Sequence, residues 1–296
     1  MPSCFPVSQK KPATGVLATL RRVAVALGVI LVSFYLIALA AVFVFQRDLQ
    51  YFPDRTATAP DAAGPAMRVL TLTTTDGEHL VAWFHPPVAG KPVILFFGGN
   101  GSTLIGQTDR WRRIADAGVG VLAVAYRGYS GSSGHPTEAG LHRDAEAAYA
   151  WLAARYRPAD IIIHGHSLGT GVAVRLAADH PARALILEAP FTSAAEVGQL
   201  RYPWLPVKLL MWDPFASRDW IAKVHMPVLI VHGDHDGVIP FAMGRELFGL
   251  ANPPKTFEAV PGGGHEDLPE RGLYDRVWKF LGVAGPQATA GVPQPA

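Results

Sequence analysis

The chain has 296 residues, 49% of them hydrophobic, and a formal net charge of +2. That length accommodates one large α/β domain plus an additional segment, and the weak positive balance, with no basic stripe interleaved with aromatics, excludes nucleic acid as an expected partner. The single cysteine, Cys4, excludes an internal disulfide, so the fold must stand on its core alone; Cys4 is read as a bystander thiol rather than a lipid carrier.

The first predicted element is the uncharged run Val23 to Phe45, VAVALGVILVSFYLIALAAVFVF. At helical rise it is long enough to cross a bilayer core of about 30 Å. Ala38-Leu39-Ala40 resembles a signal-peptide cleavage site, but the run before it is already long for a signal h-region and stays apolar through Phe45. The reading is therefore an uncleaved signal anchor, a single transmembrane helix acting as a tether. Lys10, Lys11, Arg21 and Arg22 precede the span, whereas Arg47 behind it is matched by Asp48. That bias predicts a cytoplasmic segment 1–22, with the bulk of the protein on the periplasmic or other extracytoplasmic side.

Residues 46–66, rich in Pro, Ala and Asp toward their end, are predicted as a linker, and the folded domain as 67–283. Met67 to Thr73 and His79 to Phe84 read as antiparallel strands joined at Asp76-Gly77. Short apolar runs follow at Val93 to Phe97, Val119 to Ala125, Ile161 to His164, Ala184 to Leu187, Val228 to His232 and Thr256 to Val260, and these suit buried parallel strands. Between them Leu141, Ala145, Ala148, Tyr149 and Leu152 share one face of a helix over Pro136 to Tyr156. The alternation predicts an α/β fold, a mostly parallel central sheet covered by helices on both faces. The interval 192–224 is longer than a usual connection and reads either as a short helical cap over the carboxyl edge of the sheet or as surface helices that bury Trp204 and Trp212. The tail 284–296 has no residues for a core and is predicted to be disordered.

Chemistry concentrates at strand ends. Gly165-His166-Ser167-Leu168-Gly169 follows the strand Ile161-Ile162-Ile163 and opens into the helical run Thr170 to Asp179. A sharp strand-to-helix turn of this kind exposes a serine hydroxyl above the sheet, and the small flanking residues permit it. Such a nucleophile requires an acid after a later strand and a histidine after the last. Asp236, in His232-Gly233-Asp234-His235-Asp236, is the chosen acid, with Asp234 the competitor. His265, presented by Gly262-Gly263-Gly264, is the base. Candidate oxyanion donors are the backbone N–H groups of Leu168 and of Gly99, with Asn100 the alternative to Gly99. His164, His166, His232 and His235 flank these positions but match no zinc spacing, so neither a metal nor another cofactor is expected.

With these motifs in place the sequence resembles the α/β-hydrolase superfamily, and within it the single-pass membrane-anchored serine esterases related to abhydrolase-domain depalmitoylases. The resemblance covers roughly 46–281 and includes Gln50-Tyr51-Phe52-Pro53 and the run Tyr126-Arg127-Gly128-Tyr129-Ser130-Gly131-Ser132-Ser133-Gly134-His135-Pro136-Thr137-Glu138. It implies that Tyr126 to Gly134 walls the active site. It also exposes a departure: Phe97 stands where such relatives commonly carry histidine before the first oxyanion-loop glycine, and phenylalanine cannot make that histidine's hydrogen bonds. The expected function is hydrolysis of carboxylic ester or thioester bonds through an acyl-enzyme at Ser167, on acyl or lipid-like substrates. The rival readings are a non-catalytic binding protein of the same fold and a serine peptidase of that fold. Oligomeric state is not legible.

Overall fold

The computed structural model describes residues 14–60 and 64–285. Cys4, Lys10, Lys11 and the tail from residue 286 onward, with the expectations placed on them, lie outside those residues. The chain divides into two compact units, Met1–Gln46 and Arg47–Ala296.

Helix α1, Thr14–Gln50, begins in the first unit and ends in the second. The apolar run dictates the helix, because Leu, Ala and Val side chains without charge or proline carry it past Phe45 unbroken. It is long and apolar enough to cross a membrane, and its apolar side chains, Val29, Leu31 and Ile37 among them, are exposed.

The second unit is built on eight strands: β1 Arg68–Thr73, β2 His79–His85, β3 Val93–Phe97, β4 Gly120–Val124, β5 Ile161–His166, β6 Ala184–Glu188, β7 Val228–Gly233 and β8 Lys255–Val260. Their order across the sheet is β1-β2-β4-β3-β5-β6-β7-β8. The pairs β1–β2 and β2–β4 are antiparallel, and every later pair is parallel. Strands β3 to β7 are wholly buried, as continuous Val, Ile and Leu runs require when both faces are covered.

The covering helices are α2 Thr108–Asp116, α3 Glu138–Ala153, α4 Leu168–Asp179, α8 Phe241–Leu250 and α9 Leu273–Leu281. Between β6 and β7 the chain forms three short helices, α5 Ala194–Arg201, α6 Val207–Leu210 and α7 Ser217–Trp220. Helix α3 starts where Thr137 accepts a hydrogen bond from Gly140 N–H, an N-cap of the usual kind. It buries Leu141, Ala145, Ala148, Tyr149 and Leu152 as the pattern predicts, each leucine contributing about 1.5–3 kcal/mol when removed from water. It also buries Asp144, which the apolar pattern does not reveal; the carboxylate takes the Arg127 guanidinium at 2.8 Å.

The stretch expected to be a linker is structured at its start. It is helical through Gln50, and Tyr51 is then buried against Phe215, the rings edge to face at 6.4 Å. The between-strand interval also departs from a simple pair of surface helices that hide their aromatics. Leu205 and Phe215 are buried there, whereas Leu200, Tyr202, Trp204 and Leu209 stay exposed.

The parallel strands decide where chemistry gathers. Because β3, β5, β6, β7 and β8 point the same way, the loops after Phe97, His166, Glu188, Gly233 and Val260 all leave one edge of the sheet. The chain passes from β3 to β4 on one side and returns to β5 on the other, so the crevice between β3 and β5 is a switch point of the kind that binds ligands.

Candidate active site

Ser167 sits between β5 and α4 with φ 52° and ψ −120°, a left-handed backbone that a serine adopts only under constraint. Its neighbours explain how the turn closes. A Cβ at Gly165 would lie 2.4 Å from the Gly169 carbonyl oxygen, and a Cβ at Gly169 would lie 2.2 Å from the Phe97 carbonyl oxygen. Only glycine allows β3, β5 and α4 to approach this closely. Gly169→Ala is expected to force β3 and α4 apart at a cost of about 3 kcal/mol, read as a lowered urea midpoint. An unchanged midpoint would mean that the contact relaxes freely.

The structure brings Ser167, Asp236 and His265 together from three separate loops. His265 Nε2 lies 2.8 Å from Ser167 Oγ, and His265 Nδ1 lies 2.8 Å from Asp236 Oδ2. An ionised carboxylate only accepts, so Nδ1 carries the proton and Nε2 is left to accept from the serine hydroxyl. Asp236 is fixed in turn: its Oδ1 accepts the backbone N–H groups of Val238 and Ile239, both at 2.8 Å. Behind it the buried His232 directs Nε2 at both the Ile239 carbonyl, 3.1 Å, and Asp236 Oδ2, 3.3 Å. Asp234 points elsewhere. It bonds Gly262 N–H and the exposed His235, each at 2.7 Å, and does not meet His265.

Electrostatics follow from this geometry. Burial resists ionisation of Asp236, but the hydrogen bonds from His232, His265 and the loop backbone outweigh it and hold the carboxyl below its usual range. Burial also resists charge on His265. Asp236, with help from Glu266 and Glu188, more than offsets it and raises the His265 pKa above its ordinary value. Burial dominates at His166 and His164 and lowers both.

Behind the turn at Ser167 lies a second polar group that the sequence reading missed. The Glu188 carbonyl accepts Ser167 N–H at 3.0 Å, and its carboxylate takes Arg110 in two hydrogen bonds, 2.7 and 3.1 Å. Both side chains are buried, so the pair stands only because the bidentate geometry compensates their desolvation. Burial works against the Glu188 charge, yet Arg110 and the two histidines hold its pKa well below the usual value. Arg110 also lies over the Phe96 ring at 4.8 Å and donates to Tyr274 Oη at 3.2 Å. Nothing in local spacing links residues 110 and 188; a glutamate ending an otherwise apolar strand was the one available signal.

The loop after β3 is placed beside the serine. A Cβ at Gly99 would be 3.2 Å from Ser167 Cβ, which puts the Gly99 backbone against the Ser167 side chain. Leu168 opens α4, where the first four N–H groups have no intrahelical acceptor. The departure at Phe97 is absorbed by packing. Its buried ring stacks on Tyr126 at 9° between planes, and the Tyr126 hydroxyl donates to the Gly98 carbonyl at 3.1 Å. Tyr126 thus supports the loop that a histidine would otherwise brace. Asn100 is committed to the start of the unit: its Nδ2 donates to the Gln50 carbonyl at 2.5 Å, and its Oδ1 accepts from Phe52 N–H at 3.1 Å and Tyr129 Oη at 2.9 Å.

The four flanking histidines do not converge. His164 faces Glu188, His232 backs Asp236 and His235 pairs with Asp234. Among the described residues, His166, His265 and Glu266 have ligand-capable atoms within 4.8 Å of one another. One of the three is His265, whose two nitrogens already face Asp236 and Ser167.

The comparisons with known proteins agree with this architecture. The family described as alpha/beta hydrolase fold matches residues 91–219. Alpha/beta hydrolase domain-containing protein 17B of Homo sapiens is 40% identical over 221 residues, covering 73% of this chain and 75% of that protein. The lysophosphatidylserine lipase ABHD12 of Rattus norvegicus is 33% identical over 196 residues, 59% of this chain and 49% of the relative, so the chain matches about half the length of that lipase. Among solved structures, an esterase of Pyrococcus furiosus superposes with a TM-score of 0.63 at 19% identity, over 78% of this chain and 98% of the esterase.

Proposed function

The chain belongs to the α/β-hydrolase family, and from that premise we propose that it is a membrane-anchored serine hydrolase that cleaves carboxylic ester or thioester bonds of acyl, lipid-like substrates. The observation that carries this reading is the unbroken relay from Asp236 through His265 to Ser167, each link 2.8 Å. In the first half-reaction Ser167 Oγ attacks the acyl carbonyl carbon while His265 Nε2 takes its proton. Asp236 stabilises the imidazolium without accepting that proton. The N–H groups of Leu168 and Gly99 receive the oxygen that becomes negative, aided by the α4 N-terminus. Collapse breaks the bond to the alcohol or thiol, which leaves with the proton from His265. A water deprotonated by His265 then attacks the acyl-enzyme, and the acid departs from Ser167.

Activity requires neutral His265. Its raised pKa therefore sets the acid limb of kcat/KM above the ordinary histidine value of about 6.5, with activity lost as pH falls through it. A pH profile of short-ester hydrolysis measures this directly, and an acid limb below that value would contradict the assignment.

Relatives that carry lipase and esterase names, the exposed apolar residues of the 192–224 segment and the N-terminal helix support a lipid-like acyl group. The Lys and Arg residues before the span favour a cytoplasmic N-terminus with the hydrolase on the other side. The test is a p-nitrophenyl ester series run beside acyl thioesters and peptides. Rates that rise with acyl length are expected. Falling rates would remove the lipid-like substrate, and a preference for peptides would replace the esterase by a peptidase.

A further inference from the structure

The segment between β6 and β7 turns a set of large apolar side chains toward solvent. Leu200 lies in the last turn of α5, Tyr202 and Trp204 follow that helix, and Leu209 lies in α6; Trp204 is 59% exposed and Leu209 84%. Tyr202 and Trp204 meet edge to face at 6.5 Å, and α5 packs on α6, so the four residues belong to one small structural element. Arg201 and Lys208 are exposed among them. A water-facing patch of this composition is uncommon on a protein that meets only solvent. Tyrosine and tryptophan with leucine, edged by basic groups, are instead the residues of the membrane–water boundary.

A second observation says which surface covers the patch. Arg47 pairs with Asp213 at 2.9 Å and lies over the Trp212 ring at 5.1 Å, and Gln50 Nε2 donates to the Asp213 carbonyl at 2.8 Å. Asp213 follows the end of α6 by three residues. In sequence, Arg47 follows the last residue of the apolar run, Phe45, by two positions. A bilayer that holds Val23 to Phe45 therefore brings the Arg47 backbone within about 7 Å of the bilayer's apolar boundary, and Asp213 lies one arginine side chain from it. These bonds tie the residues just after the span to the loop that follows α6, the helix that carries Leu209.

We propose that Leu200, Tyr202, Trp204 and Leu209 seat in the headgroup boundary of the same bilayer that holds the N-terminal helix, so that the short helices between β6 and β7 dock this side of the hydrolase onto the membrane. The proposal rests on the reading that Val23 to Phe45 spans a bilayer and that Ser167 is the nucleophile. It adds a second contact with the bilayer beside the N-terminal helix.

The test uses the full chain in vesicles of phosphatidylcholine and phosphatidylglycerol. In a Cys4→Ser background, Leu209→Cys and, as a control on exposed β1, Val69→Cys each carry a fluorescent thiol label. Brominated phosphatidylcholine is expected to quench the Leu209 probe and spare the Val69 probe, with aqueous iodide doing the reverse. Separately, Leu200→Ser with Leu209→Ser should lower hydrolysis of a vesicle-embedded long-chain ester about tenfold and leave a short soluble ester unaffected. Flotation with vesicles and fluorophosphonate labelling are measured on the same samples. Protein that floats and labels, but whose Leu209 probe is quenched by iodide like Val69, overturns the docking alone. Protein that neither floats nor labels removes the reading beneath it.

Discussion

Ser167→Ala is expected to lower kcat for ester hydrolysis by about 10⁶-fold, the loss seen when a serine nucleophile is removed from a comparable relay. It should also abolish covalent labelling by a fluorophosphonate. The fold should survive the change. The strained backbone at φ 52° is held by Gly165, Gly169 and the Glu188 carbonyl, not by the serine hydroxyl. Circular dichroism and the urea midpoint therefore stay at wild-type values while activity collapses. A folded Ser167→Ala protein that keeps more than a few per cent of wild-type activity would move the nucleophile elsewhere. A folded wild type that never labels would instead favour a binding protein of this family over an enzyme.

Asp236→Asn should cost about 10⁴-fold in kcat, whereas Asp234→Asn should stay near wild type. The asymmetry follows from the hydrogen bonds. An asparagine at 236 keeps one carbonyl oxygen for the Val238 and Ile239 N–H groups, so the loop holds its shape. Its amide then replaces the oxygen facing His265 Nδ1, and an N–H donor there drives the proton to Nε2. A histidine protonated at Nε2 cannot take the proton of Ser167. Asp234 touches only Gly262 and His235 at the surface, so its loss should leave the His265 tautomer alone. Steady-state kinetics on both variants, with fluorophosphonate labelling rates as a second readout, decide the matter. Equal losses would assign the acid's role to neither residue alone.

What the sequence reveals here depends on whether the signal is local. The apolar runs of β3 to β7 announce a buried parallel sheet because both faces must be covered, and the five residues around Ser167 announce a tight turn because only glycine fits beside it. Asp236 is separable from Asp234 by motif, but the physical reason lies in which carboxylate the Val238 and Ile239 amides capture. The buried Arg110–Glu188 pair was illegible, since its members are 78 positions apart and neither breaks a pattern strongly. Tyr126 was visible within a longer motif, but its hydroxyl's grip on Gly98 depends on a strand pairing that no spacing encodes. Composition also misled in one place: residues 46–66 read as a linker for their Pro, Ala and Asp, yet Tyr51 packs into the core.

That misreading has a practical counterpart at Asn100. One amide side chain joins the Gln50 carbonyl and the Phe52 N–H to the loop that holds Gly99, so the seam on which that loop rests begins well before Met67. A soluble version cut after Phe45 retains the seam, as would a chain processed at Ala40. One cut at the more obvious domain edge near Met67 discards a strut of the loop beside Ser167, and any loss of turnover in it would have a cause unrelated to its substrate.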